Sequence, residues 1–293
     1  MQHDLLTKGT ISDLDFAYVN AYAYNPEYES WMSVPHLFHT NYHGSDDGHP
    51  EVFDGYYKDT LTPAIADTTI RKVTPYSNIT DFLRNANPKY GARNSYTTFT
   101  HQPSREFEGK MLEIFKDEVL KLAKHNVSGL FPVMVWQPLY NSAFQHVSTA
   151  NQNALGFTRD DAKNGPLHIF LLPFSWTNAE DDKIVEPVIK SIMSRGEALA
   201  KQMGVYHPWK YLNYAEGWQD VTAGYQGVNG DNLSWLRRVQ KEYDPEGIYV
   251  KGGLAGGFFK FNDKEEGAGQ KMVEDVKKVV QKMMPKKKNH DEL

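Results

Sequence analysis

LHIFLLPFSWTNAEDDKIVEPVIKSIMSRGEALAKQMG, residues 167–204, places a strand and a helix in succession and decides the fold class. The apolar run 167–176 predicts a strand, with Pro173 near its end, where a missing amide donor is tolerated. The period then changes. Ile184, Val185, Val188, Ile189, Ile192, Met193, Leu199, Ala200 and Met203 recur at helical spacing and form one apolar face. Thr177 or Asn178 is positioned to cap this helix, and Gly204 can end it in the left-handed region. Pro187 falls early enough to sit in its first turns.

Working outward, GKMLEIFKDEVLKLAKH (109–125) repeats the helical pattern through Leu112, Phe115, Val119, Leu122 and Ala123, after the punctuation of THQPSREFEG. LFPVMVW predicts a buried strand from about Val133 to Gln137. NLSWLRRVQKEYDP predicts a further helix on Leu233, Leu236 and Val239, stopped by Asp244-Pro245. Residues 1 to about 50 are rich in aromatics and histidine and suggest one or two short strands with a long loop. Strands and helices mix without regular βα spacing, so the expected architecture is α+β: an antiparallel sheet covered on one face by helices. The expected division is a domain over 1–261 and a charged helical tail over 262–293. That tail carries eight Lys against seven acidic side chains, with Met272, Val273, Val276, Val279, Val280 and Met283 as an apolar stripe.

The 293 residues contain no cysteine, which excludes disulfides, thiolate metal sites and a cysteine nucleophile. A formal charge of −5 gives no reason to expect a nucleic-acid partner, and no apolar run is long enough for a membrane span. HExxH, Walker A, GxSxG and acidic calcium-loop motifs are absent. The cluster Gly252-Gly253-Leu254-Ala255-Gly256-Gly257 lacks the order of a dinucleotide fingerprint. His36, His39 and His43 lie close enough in sequence to raise zinc, but Pro35, Asn41 and Gly44 disfavour a helix that would converge them, and no metal is expected. The start, MQHDLLTKGTISDLDF, has no secretory n-region or h-region, yet the end is His290-Asp291-Glu292-Leu293, a lumenal retention signal. The expected location is the endoplasmic reticulum or secretory route if an upstream signal is missing, and the cytoplasm if the chain is complete. N-x-S/T triplets stand at Asn78, Asn126 and Asn232.

Tyrosine is frequent, with 17 residues, and aromatics can line a groove for a saccharide or planar ligand. Trp209-Lys210-Tyr211-Leu212-Asn213-Tyr214-Ala215-Glu216 concentrates them. In an extended run Tyr211 and Asn213 would face one side and Leu212 and Tyr214 the other; a bend would let both tyrosines approach a ligand. An amide beside a heteroaromatic ring offers donor and acceptor, and a tyrosine with a lowered pKa could act as a base.

Tyr211-Leu212-Asn213-Tyr214, then Trp218 and Tyr225, then Leu236 and Lys241-Glu242-Tyr243-Asp244-Pro245 resemble the C-terminal signature of the berberine-bridge-enzyme-like family, with Tyr249 standing where Phe is common. The likeness is strongest over 209–250. The resemblance implies the substrate domain of FAD-linked oxidoreductases of the vanillyl-alcohol-oxidase fold, which oxidise alcohols, saccharides or phenolic and alkaloid-like compounds by hydride transfer to flavin. It implies Asn213 near the flavin, Tyr214 as the catalytic base, and Tyr211 and Gln137 as substrate contacts. The family's FAD domain, with its flavin-linked histidine and pyrophosphate segment, has no counterpart in these residues. The expectation is therefore a substrate-side portion that is inactive alone and works with a separate or missing FAD domain on a small-molecule substrate. A non-catalytic module binding a glycan or phenolic ligand is the alternative.

Overall fold

The computed structural model describes residues 2–9, 13, 15–45, 48–58, 75–86, 91–145, 147, 153–225 and 232–251. Six strands, β1 (Phe16–Asn25), β2 (Ser30–His39), β3 (Arg93–His101), β4 (Phe131–Leu139), β5 (Leu167–Trp176) and β6 (Tyr206–His207), form one sheet in the order β2-β1-β4-β5-β3-β6. Every pairing is antiparallel. The longer helices are α1 (Tyr76–Ala86), α2 (Arg105–Ala123), α3 (Asp182–Gln202) and α4 (Asn232–Tyr243).

Alternation along the strands divides the sheet into two faces. Phe99, Met134, Trp136, Phe170, Leu172 and Phe174 point to one face, where they pack with Phe107, Met111, Phe115 and Val119 of α2 and Val185, Ile189, Ile192 and Met193 of α3. Burying each large apolar side chain of this kind stabilises the fold by about 1.5–3 kcal/mol relative to exposure. The α+β architecture, with helices gathered on one face of an antiparallel sheet, matches the sequence expectation.

Helix α3 starts later than the capping residues suggested. A 3-10 turn over Ala179–Asp181 intervenes, so Asp181, not Thr177 or Asn178, occupies the N-cap. Pro187 sits in the second turn. At the other end Gly204 adopts φ +70°. Val205 N–H then reaches the Ala200 carbonyl at 2.9 Å and Gly204 N–H that of Lys201 at 3.2 Å, the paired closure of a Schellman end. Ser104 caps α2 by accepting from Phe107 N–H at 3.2 Å.

The N-terminal region forms two ten-residue strands in a continuous hairpin, longer than the short strands expected. Tyr18, Tyr22 and Tyr24 alternate toward the helix face, which supplies the apolar side that keeps the long register in place. The glycine cluster at 252–257 and the tail at 262–293 lie outside the described residues, as does the boundary drawn between them. No described helix is long and apolar enough to cross a membrane.

Candidate functional site

The run from Trp209 to Gln219 follows β6 and turns beside the sheet. Trp209 is buried against Phe157, with ring centroids 4.9 Å apart, and stacks on Tyr211 at 5.8 Å. The extended run considered from sequence does not form. Leu212–Tyr214 is a 3-10 turn, closed by Tyr214 N–H to the Tyr211 carbonyl at 3.0 Å and Ala215 N–H to the Leu212 carbonyl at 3.2 Å. Residues three apart eclipse in such a turn. Tyr211 and Tyr214 therefore meet edge to face at 4.8 Å, where strand alternation would have separated them.

All four residues singled out from sequence come together here. Gln137 lies on β4 and points away from the helices, because its neighbour Trp136 points into them. Its side-chain amide lies against the Tyr214 hydroxyl. Asn213 is exposed and donates its amide Nδ2 to the Tyr211 hydroxyl at 2.9 Å. Tyr96 of β3 adds a third phenol, its ring 6.2 Å from Tyr214. Burial raises the Tyr214 pKa, the Gln137 amide lowers it, and Tyr211 and Tyr96 raise it further, so the net shift is upward. The lowered pKa that would make a ready base is therefore not what this chain provides, and Tyr214 rests as a neutral phenol.

The turn is held by residues that no sequence motif marks. Gln219 is buried and its side chain works as a short piece of strand against the edge of β3. Its Oε1 accepts from Thr98 N–H at 3.0 Å and from Glu216 N–H at 3.2 Å, while Nε2 donates to the Thr98 carbonyl at 2.8 Å. Ser95 Oγ donates to Glu216 Oε1 at 3.1 Å. Gly224 lies so close to Pro208 and Trp209 that an added Cβ would sit 2.4 Å from the Pro208 carbonyl oxygen. Tyr96 can be found from the aromatic count, but only once β3 is recognised as a strand.

A second polar cluster lies beneath the helices, on the opposite face of the sheet. His101, Glu108 and His168 are buried, and their potential ligand atoms all lie within 4.8 Å of one another. Their hydrogen bonds describe a closed network. His101 Nδ1–H donates to the Gln102 carbonyl at 2.8 Å, and Nε2 accepts from Trp136 Nε1–H at 3.2 Å. This fixes a neutral tautomer, and burial pushes the His101 pKa down to about 3. His168 joins Glu108 through Nδ1 at 2.8 Å and the Tyr18 hydroxyl through Nε2 at 2.8 Å. Burial raises the Glu108 pKa, but bonding and charge from His168 together with the Gln2 amide outweigh it, and the net shift is downward. Both nitrogens of each imidazole are already engaged, so a metal taking one nitrogen from each would have to displace a bond at both rings. His36 and His39 project from opposite faces of β2, and His39 and His43 are engaged by Asp13 and Asn41, so these three do not converge.

The architecture is that of a substrate-domain-like α+β fold with an aromatic and amide cluster on the sheet face that the helices leave free. No family model matches the chain. At family level it resembles FAD-dependent monooxygenases of fungi. It is 29% identical over 208 residues to the FAD-dependent monooxygenase FUP4 of Fusarium proliferatum and 30% identical over 205 residues to the FAD-dependent monooxygenase tpcD of Cochliobolus heterostrophus. Each match takes in 69% of this chain and 38% of the relative, so the matched stretch spans well under half the length of these proteins. Among solved structures, Physcomitrella patens BBE-like 1 overlaps 79% of this chain and 45% of its own, at 12% identity and a TM-score of 0.40.

Proposed function

We propose that this chain is the substrate-side portion of an FAD-dependent oxidoreductase that oxidises an alcohol, saccharide or phenolic compound, and that it is inactive without an FAD-binding partner segment. The observation that supports it best is the joining of Tyr211, Asn213, Tyr214 and Gln137 into one cluster on the face the helices leave free. These residues fit a flavin as one wall. Asn213 is exposed and its Oδ1 makes no hydrogen bond among the described residues, so it can meet a polar ring edge. Among the described residues no glycine-rich cradle stands near it to hold a pyrophosphate. When bound, the flavin supplies the acceptor for the substrate's hydride.

This chain's own residues would act on the substrate's other end. Tyr211 and Tyr96 offer flat faces for the substrate, and Gln137 orients the Tyr214 hydroxyl. In this reading Tyr214 would take the substrate's hydroxyl proton as the carbon's hydride departs. Because burial favours its neutral form, that role makes turnover rise with pH until the phenol ionises. For the compartment, the proposal is the lumen of the endoplasmic reticulum or the secretory route if an upstream signal is missing, and the cytoplasm otherwise.

The test is complementation. The chain is co-expressed with the FAD-binding part of the Fusarium relative, and the complex is purified and assayed against a panel of alcohols, saccharides and phenols. A yellow complex that reduces its flavin on adding substrate supports the proposal. Tyr214→Phe should then lower kcat by about 10²–10⁴-fold, the usual contribution of a general base, with flavin content unchanged. A colourless chain that binds a glycan or phenol by itself would instead establish the binding-module reading.

A further inference from the structure

The structure sorts the N-x-S/T triplets, and we infer that Asn126 is the acceptor for an N-linked glycan in this fold. Asn232 is unsuited. It is buried at the start of α4, and its Nδ2, the atom that would carry the sugar, donates to the carbonyls of Asn153 at 3.2 Å and Ala154 at 3.0 Å. A glycan on this amide would have to lie in the interior, and a modified Asn232 could not form these bonds. Asn78 lies inside helix α1, where the hydroxyl of its Thr80 is committed to the Tyr76 carbonyl at 3.3 Å.

Asn126 differs on each point. It follows α2 in a turn, is exposed, and has φ +49°. Its side chain makes no hydrogen bond among the described residues. The left-handed backbone explains why Asn suits position 126. It gives no reason for Ser128, whose hydroxyl is exposed and likewise without a described partner; only the Ser128 carbonyl is used, by Thr177 N–H at 2.9 Å. Amide and hydroxyl are thus both free, as a glycosylated Asn-x-Ser triplet requires. Val127, between them, is buried and fixes the turn to the body of the protein.

The position also leaves the candidate site clear. Asn126 precedes the Phe131 end of β4, whereas Gln137 lies six residues along that strand, a separation of roughly 20 Å at strand rise. A glycan at Asn126 would cover the turn linking α2 to β4 and would not obstruct Tyr214.

The experiment translates the full chain behind a cleavable secretion signal in the presence of microsomes. Glycosidase-sensitive mobility shifts are then read for the wild type and for Asn126→Gln, Ser128→Ala, Thr80→Ala and Ser234→Ala. One shift is expected in the wild type, absent from the two Asn126-triplet variants and kept in the others. A shift that survives Asn126→Gln, or no shift in a wild-type chain shown by protease protection to be inside the microsomes, overturns the inference. Neither outcome bears on the flavin proposal, because acceptor competence is read without turnover.

Discussion

The substitution His101→Gln changes how stability responds to pH by an amount the structure sets. Folded His101 is neutral because both ring nitrogens are committed, Nδ1–H to the Gln102 carbonyl and Nε2 to Trp136 N–H. A second proton would set Nε2–H against Trp136 N–H inside a dry core. Its folded pKa is accordingly pushed down to about 3, from an ordinary value of 6.5. Between these values the unfolded chain holds a proton that the folded chain refuses, so the stability this group contributes is full above 6.5 and is lost as pH falls. At about pH 5 the unfolded state has gained roughly 1.5 pH units of protonation free energy, or about 2 kcal/mol at 1.36 kcal/mol per unit. The amide that His101→Gln introduces cannot titrate. The variant should be the less stable protein at about pH 8, through imperfect bonding, and the gap should narrow by roughly 2 kcal/mol at about pH 5. Urea unfolding of both chains across this range measures the gap. A gap that stays constant with pH would show that His101 takes up its proton alike in both states, and would refute the assignment of a locked neutral imidazole.

Two further changes test how the aromatic turn is held. Gln219→Leu removes three hydrogen bonds and strands the Thr98 N–H and carbonyl at the edge of β3. The expected cost is about 2–4 kcal/mol, with faster hydrogen exchange at the Thr98 amide. A loss below about 0.5 kcal/mol with unchanged exchange would mean that water replaces the side chain without penalty. Gly224→Ala drives a methyl to 2.4 Å from backbone oxygen, which cannot move aside as a flexible side-chain tip could. It should cost about 1–3 kcal/mol and alter the near-ultraviolet signal of Trp209. Wild-type stability and signal in this variant would contradict the close approach.

The parts of the fold legible in the sequence are those where one physical pattern acts alone. β5 and α3 can be read because a continuous apolar run gives way to an apolar face of helical period. β3 escapes such a reading, since RNSYTTFTH is mostly polar; its Thr97, Thr98 and Thr100 are buried because β5 runs along one side while Gln219 and the short β6 cover the other, a fact set by distant residues. The cluster at Tyr211, Asn213, Tyr214 and Gln137 is legible as residue types and as a spaced signature, but its 3-10 geometry is not. That turn depends on Gln219 reaching Thr98 across 121 positions. The buried network is invisible for the same reason. Glu108 lies one place beyond Phe107 on a helix that also presents charge to water, and only the fold brings His101 and His168 to it.

The same geometry distinguishes the two functional readings. Binding pockets for small molecules enclose about 70–90% of a ligand's surface. The described residues around Tyr214 instead grade from a fixed base to an open edge. Trp209 is buried, Tyr211 and Tyr214 are half-buried, and Asn213 and Trp218 are exposed. Such a gradient makes a firm surface on which to set a flat molecule, but it does not surround one. The base is more rigid than a shallow surface site needs: Gln137, Tyr96, Tyr211 and the Gln219 clamp all act to keep one phenol in place. Fixing a hydroxyl this closely is useful when a reacting group must be met at a set distance, and an open face is useful when a second body completes the enclosure. A stand-alone module would gain from the reverse, an adaptable base and a closed rim. The geometry therefore favours one wall of a shared active site over a complete binding pocket.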